Sequence, residues 1–320
     1  MENKAALAVD FETIGKLKHL LPQLQDLKRQ QPAHYKKSIA SSLFTESWEQ
    51  LFYGENSEEI ALKITLKALL ALALPGCDAY FFKTVKIEPK SAENILKSAF
   101  SELIEGKIDS DLYSKLFKEI PNLVTEFYSE NSLGEKQTNF KEKYWFVNAL
   151  CKQPRAGATK PGMPRLLLVP PEMHSDHCLI TAVYAVLLSP CFEAKAGLPF
   201  LTGLAHHLHN AVLPDCGFAG EIALGDQLQP IIENSRTEAL KKINKAESKI
   251  IMQAITNHEN LNNAEGRSSS AADVLDRVLD IKWRVRAASV TEKEVLDDLE
   301  LVHDGPIKNF QTAILKSADL

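Results

Sequence analysis

The stretch "HSDHCLITAVYAVLLS", residues 174–189, carries two histidines three positions apart and then a long apolar run. Side chains three or four positions apart share one face of a helix, so this stretch predicts a helix that presents His174 and His177 together. The same periodicity dominates the rest of the chain, and we find no alternating strand pattern and no internal repeat. The sequence therefore predicts an all-α fold.

Other segments support this fold class. Five leucines recur at three- and four-residue steps near the start of the chain and predict an amphipathic helix: Leu17, Leu20, Leu21, Leu24 and Leu27. The most apolar stretch runs from Ile60 to Gly76 and contains two lysines, which favours a buried core helix over a membrane span. The segment "LPFLTGLAHHLHNAV", residues 198–212, predicts a further helix.

Composition excludes several classes of protein. The chain has 320 residues, 45% hydrophobic and 25% charged, with a formal net charge of -5. This balance is that of a soluble globular protein, and the scattered basic residues argue against a nucleic acid polymer as partner. The first twenty residues lack the apolar region of a signal peptide, and none of the five cysteines forms a CxxC pair. We expect reduced thiols, a cytoplasmic location and no membrane association.

The composition changes at residues 151–173, which contain five prolines and two glycines. Such a segment cannot be a regular helix through most of its length. We interpret it as a linker between a helical N-terminal region, residues 1–150, and a second helical unit, residues 174–320. Arg155, Lys160 and Arg165 in this segment belong either to a solvated loop or to the edge of a site that binds an anionic substrate.

Five of the nine histidines lie between positions 174 and 209. Neutral imidazole is a common ligand for first-row transition metals, and clustered His with Asp is typical of such sites. On a continuous helix His206 and His209 share a face, whereas His206 and His207 point about 100° apart. Both His206 and His207 can therefore face one site only if the helix axis passes across that site.

The order of three segments is informative. "HSDHCLITA" is followed about thirty residues later by "LAHHLHNAVLPD", and some sixty residues further by "SAADVLDRVLD". This order resembles the HD-domain metal-dependent phosphohydrolase superfamily, over residues of about 170–285. The resemblance implies an HD-like helical bundle in which His174, His206 and Asp273 match metal ligands of the family.

The chain departs from the family pattern at two positions. His207 stands where the family has the Asp of its His-Asp doublet, and Asn210 stands where the nucleotidase branch has a Glu. Neutral His can also bind a metal, so the resemblance implies a ligand set of His174, His206, His207 and Asp273. That set favours Mn, Fe, Zn or Co over Mg, as one or two ions, because Mg prefers oxygen ligands.

The resemblance implies a phosphomonoester or nucleotide as substrate. Asn cannot act as a general acid or base, so the proton would be carried by Asp215 or His209. Three functions stay open at this point: a phosphohydrolase, a degenerate HD-like module that binds a ligand or partner without chemistry, and an iron enzyme of oxygen chemistry.

We further expect Asp276 and Asp280 to be exposed helix charges, His258 to end a helix, and His303-Asp304 to lie in a turn.

Overall fold

The fold is all-α, as predicted. The computed structural model describes residues 9–129, 136–258, 260–285, 291–298 and 300–320, and in these ranges it has sixteen α-helices and no β-strand. The helices before residue 151 are α1 Phe11–Lys16, α2 Leu21–Leu24, α3 Ile39–Phe52, α4 Ser57–Ala73, α5 Ala79–Thr84, α6 Pro89–Ile104, α7 Ser110–Tyr128, α8 Lys136–Lys143 and α9 Trp145–Leu150. Those after it are α10 His174–Leu188, α11 Gly197–Ala205, α12 Gly217–Leu224, α13 Leu228–Leu240, α14 Lys245–Asn257, α15 Ala264–Val285 and α16 Lys308–Ser317.

Helix α10 is the centre of the fold. All fifteen of its residues are buried, and it packs against α3, α4, α11 and α15. The stretch His174–Phe192 has the length and mean hydropathy of a membrane span, but 94% of it is buried inside the protein. A helix that is covered on every side has no polar face, which explains its continuous apolar run.

The leucine-rich segment at the start of the chain does not form the single helix that its periodicity predicts. Helix α2 has only four residues and is flanked by 3₁₀ turns at Leu17–His19 and Gln25–Lys28. Pro22 lies in the first turn of α2 and has no N–H to donate to a preceding turn, which prevents one continuous α-helix. The five leucines are nevertheless buried as expected.

The apolar stretch that begins at Ile60 forms α4, whose residues Ile60, Ile64 and Leu69 are fully or almost fully buried. The prediction of a core helix there is confirmed.

Residues 151–173 contain no helix and form two isolated bridges, Pro154 with Met173 and Ala158 with Leu166. Helices from both sides of this segment share one hydrophobic cluster, which includes Trp48 and Leu69 as well as Val183 and Leu275. Helices before and after this segment therefore share a common core, and the boundaries we expect for separate regions stay a prediction.

Candidate metal centre

Helix α11 ends at Ala205, just before the adjacent histidines. His206 is its C-terminal cap, and after His207 the chain continues as a 3₁₀ turn over Leu208–Ala211. The predicted helix over residues 198–212 is therefore interrupted at the pair. The rings of His206 and His207 lie with centroids 4.3 Å apart.

Four imidazoles form the centre of a buried cluster. The ring of His177 lies 5.0 Å from both His206 and His207, and the ring of His174 lies 5.1 Å from His207. His258, at the end of α14, stacks on His206 at 4.8 Å. Helix α10 supplies His174 and His177, and the end of α11 supplies the adjacent pair.

Each of these four imidazoles has an oxygen acceptor at its Nδ1. His174 donates to the carbonyl of Gln153 at 3.0 Å and His206 to the carbonyl of Gly203 at 2.8 Å. The other two pairs are His177 with the Asp276 carboxylate at 2.6 Å and His207 with the Asn210 side-chain oxygen at 2.9 Å. A carbonyl or carboxylate can only accept, so the proton of each neutral ring lies on Nδ1 and the Nε2 lone pair is left for another partner.

These lone pairs converge beside Asp273. His177 Nε2 lies 3.0 Å from His206 Nε2, and Asp273 Oδ1 lies 3.3 Å from the first and 3.8 Å from the second. Within the described ranges this buried oxygen has no hydrogen-bond donor. Two lone pairs and a carboxylate oxygen at such distances repel each other unless a cation lies among them. This is the arrangement that a metal ion fits.

Two groups of donor atoms suit such an ion, each with all its atoms within 4.8 Å of one another. The first is His177, His206 and His207, and the second is His206, His258 and Asp273. A third group of that size, Glu172, His177 and Asp276, surrounds a side-chain cation instead, because Lys28 Nζ lies 2.5 Å from Glu172 and 2.8 Å from Asp276.

The electrostatics keep the donors in their ligating forms. Burial lowers the pKa of His206 and His207 well below the usual range, and the neighbouring histidines lower it further. Burial, followed by the nearby Arg155, lowers the pKa of His174 to about 4. For Asp273 burial raises the pKa, but Arg277 and other neighbours outweigh it, so the pKa lies well below its ordinary value. At neutral pH His174, His206 and His207 are therefore neutral and Asp273 is ionised.

The predicted ligands are brought together in part. His206, His207 and Asp273 belong to the two donor groups, whereas His174 belongs to neither. His177, one turn further along α10, lies at the centre instead, and His174 Nε2 lies 3.5 Å from Asp215. The resemblance favoured His174 because the family's first ligand opens its helix, although His177 lies on the same helix face as His174.

His206, His207, His258 and Asp273 lie in the wall of a cavity of about 590 Å³, whereas His174 and His177 are not among its lining residues. The lining includes the predicted residues Arg155, His209 and Asp215, and two further cations, Arg236 and Arg277. Lys160 and Arg165 are not among the lining residues, and Lys160 pairs with Glu300 at 2.8 Å. Of the three predicted substrate-binding cations, the structure places Arg155 alone at the cavity.

The two predicted proton carriers have different surroundings. The Asp215 carboxylate accepts hydrogen bonds from the backbone N–H groups of Ala156 and Gly217, both at 2.9 Å. Burial, followed by Arg236, lowers the pKa of His209 to about 4. Glu221 also lines the cavity, and burial and then Asp215 raise its pKa.

The expectation that Asp276 and Asp280 are exposed charges is wrong. They are 0% and 2% exposed, because α15 turns this face toward Lys28 and Arg29, and Arg284 of α15 itself also pairs with Asp280. The sequence spacing could have indicated this, since Asp276 and Asp280 share one helix face with the predicted ligand Asp273. His258 ends α14 as expected but lies at the cluster, and His303 stacks on Phe218 in the cavity wall.

Comparison of this chain with family models, curated proteins and solved structures returned no match.

Proposed function

We propose that this protein is a metal-dependent phosphohydrolase that acts on a phosphomonoester or nucleotide. The observation that carries the proposal is the convergence of the Nε2 lone pairs of His177 and His206 with Asp273, at a site where His206 and Asp273 line a cavity that also contains arginines. The HD-like order of the sequence segments supports the same function.

The proposed ligands come from two overlapping groups that share His206: His177, His206 and His207 in the first, and His206, His258 and Asp273 in the second. This set has more nitrogen than oxygen donors, which favours Zn, Fe, Mn or Co over Mg. A bound ion of this kind supplies an activated water and polarises a phosphoryl oxygen.

The chain's own side chains would bind and orient the substrate. Arg155 and Arg277 line the cavity and are suited to hold phosphate oxygens by charge-assisted hydrogen bonds. A volume of about 590 Å³ is within the range of small-molecule sites and suits a substrate of nucleotide size.

Proton transfer would fall to acidic groups across the cavity. Glu221 has a raised pKa and can hold a proton near the leaving group, and Asp215 lies beside His174 in the same cavity region. Asn210 has no part in this step, because its side-chain oxygen accepts the Nδ1 proton of His207.

The test is elemental analysis of protein purified without added metal, followed by assays of nucleotides and generic phosphoesters with Zn, Fe, Mn or Co. We expect about one or two ions per chain and turnover of at least one phosphoester. His206→Ala should lose the metal and the activity, whereas His19→Ala, at an exposed position, should lose neither.

Two results would count against this function. Absence of metal together with failure to bind any added ion would remove the metal centre. Stoichiometric metal without turnover of any phosphoester would favour a binding module, and oxygen consumption by an iron form would favour oxygen chemistry.

A further inference from the structure

The 3₁₀ turn Gln25–Lys28 of the N-terminal region is connected to the candidate metal centre through a buried carboxylate, that of Asp276. Asp276 is fully buried on α15 and accepts the Nδ1 proton of His177 at 2.6 Å. Its other partners come from the 3₁₀ turn Gln25–Lys28, almost 250 residues away in sequence. Gln25 Nε2 donates to Oδ1 at 2.8 Å, and Lys28 Nζ donates to Oδ2 at 2.9 Å.

These contacts fix the orientation of the Asp276 carboxylate and also compensate its charge. Lys28 Nζ also lies 2.8 Å from Oδ1, so the ammonium contacts both oxygens of Asp276. Gln25 is itself held by the hydroxyl of Tyr184, at 2.9 Å. A carboxylate with three donors around it cannot rotate freely, and the ring that donates to it is oriented with it.

The ion pairs of Arg29 and Arg284 in this buried network are made to Asp280 and do not include Asp276. Arg29 and Arg284 pair with Asp280, one turn further along α15, and Arg284 also donates to the carbonyl of Pro170 at 2.5 Å. Among the described lysines and arginines, Lys28 is the one within ion-pair distance of Asp276. Lys28 and Arg284 therefore have similar burial but different connections to His177.

We propose that Lys28 and Gln25 are positioning residues of the metal centre, which hold Asp276 so that His177 presents its Nε2 toward His206. The inference rests on the metal centre of the proposed function and is independent of the reaction catalysed there. It gives the N-terminal region a direct part in the site: its turn at Gln25–Lys28 completes the set of groups that orient a ligand.

The experiment compares Lys28→Met and Gln25→Leu with Arg284→Met, which removes a similarly buried cation that does not contact Asp276. Affinity for Zn²⁺ and Co²⁺ is measured by chelator competition, together with the visible spectrum of the Co²⁺ form. We expect Lys28→Met to bind metal about 10–100-fold more weakly with an altered spectrum, and Gln25→Leu to show a smaller loss. Arg284→Met should lose stability but keep the affinity and the spectrum.

A second measurement needs no metal. Long-range ¹H–¹⁵N spectra of the metal-free protein should show His177 protonated at Nδ1 in the wild type and in Arg284→Met, and a mixture of tautomers in the two test variants. If folded Lys28→Met keeps wild-type affinity, spectrum and tautomer, the inference is overturned and Lys28 is only a counterion.

Lys28 is the counterion of three buried carboxylates, those of Glu172, Asp276 and Asp280, and its loss could prevent Lys28→Met from folding. In that event Gln25→Leu decides, since it leaves every charge in place: unchanged affinity and tautomer would overturn the inference. A wild type that binds metal but hydrolyses no phosphoester would refute the proposed function and leave this result standing.

Discussion

At the scale of single residues, the imidazoles of the cluster already have their Nδ1 protons committed to protein oxygens. His174, His177, His206 and His207 each have a different acceptor, and those acceptors come from a loop, a helix and a 3₁₀ turn. Fixing the proton on Nδ1 leaves Nε2 basic and correctly oriented, which is how proteins prepare histidine to bind metal.

Asn210 provides a test of this arrangement. Asn210→Leu removes the acceptor of the His207 Nδ1 proton, and we expect metal affinity to fall about 10–100-fold, because the ring loses its fixed tautomer and orientation. Chelator competition measures the change, with Asn122→Ala as control, since Asn122 is exposed and bonds only locally to Glu119. An Asn210→Leu variant with wild-type affinity would show that the hydrogen bond does not matter for the ligand.

The depressed histidine pKa values predict how stability depends on pH in metal-free protein. His174 and His209 have pKa values of about 4 in the fold, because burial disfavours their charged forms, against about 6.5 in the unfolded chain. The unfolded state therefore binds more protons between these values. Stability is fully present above pH 6.5 and is lost as the pH falls toward 4.

At pH 5 this effect costs on the order of 1–2 kcal/mol for each histidine. The measurement is urea unfolding at pH 7 and pH 5 in the presence of a chelator. His209→Gln should reduce the difference between the two, whereas the exposed His19→Gln should leave it unchanged. Equal stability of the wild type at both pH values would mean that these groups are not buried in neutral form.

At the scale of elements, the position of the adjacent histidines depends on how closely α11 approaches α10. Gly203 lies against the backbone of Ala182, so that a Cβ built on it would come within 2.5 Å of Ala182 Cα. Such an approach requires glycine, and it brings His206, three residues later, to within hydrogen-bond distance of His177.

Gly203→Ala should therefore separate the two helices. We expect a loss of about 1–3 kcal/mol in the free energy of unfolding, because backbone atoms must move to accept the methyl group, and weaker metal binding, because His206 moves with α11. Gly15→Ala is the matched control, since its Cβ would meet a single atom at 3.7 Å and alanine favours a helix. Urea unfolding and chelator competition measure the two effects, and wild-type behaviour of Gly203→Ala would contradict the close approach.

At the scale of the whole molecule, the helices on both sides of residues 151–173 depend on one another. Helices α3 and α4 pack against α10 and α11, and the carboxylates of Glu172 and Asp276 find their counterion in Lys28. Neither side would bury its apolar faces or pair its charges alone.

Fragments 1–150 and 174–320 should therefore fail to fold independently. We expect each to lack a cooperative thermal transition and to expose apolar surface, as measured by calorimetry and dye binding, whereas the full chain unfolds in one transition. A stable, cooperatively folding fragment would instead support the two separate regions that the composition of residues 151–173 suggests.

Much of this arrangement follows from the sequence because helical periodicity is local. From spacing within single helices the all-α class and the core helix from Ile60 could be predicted, and from the HD-like order of three segments His206, His207 and Asp273 could be predicted as metal ligands. The choice of His177 over His174 could not, since both lie on one face of α10 and the ligand is decided by how far the helix is rotated and shifted against α11 and α15.

The sequence by itself determined the all-α class, the core helix from Ile60 and which positions place histidine or aspartate on a shared helix face, because these properties depend on residues three or four positions apart. Only the tertiary structure decided that α11 ends at Ala205, that Asp276 and Asp280 are buried, and that Lys28 contacts the Asp276 carboxylate to which His177 donates. The physical reason is that a buried charge is tolerable only beside its partner, and here the partners lie about 250 residues apart in the chain.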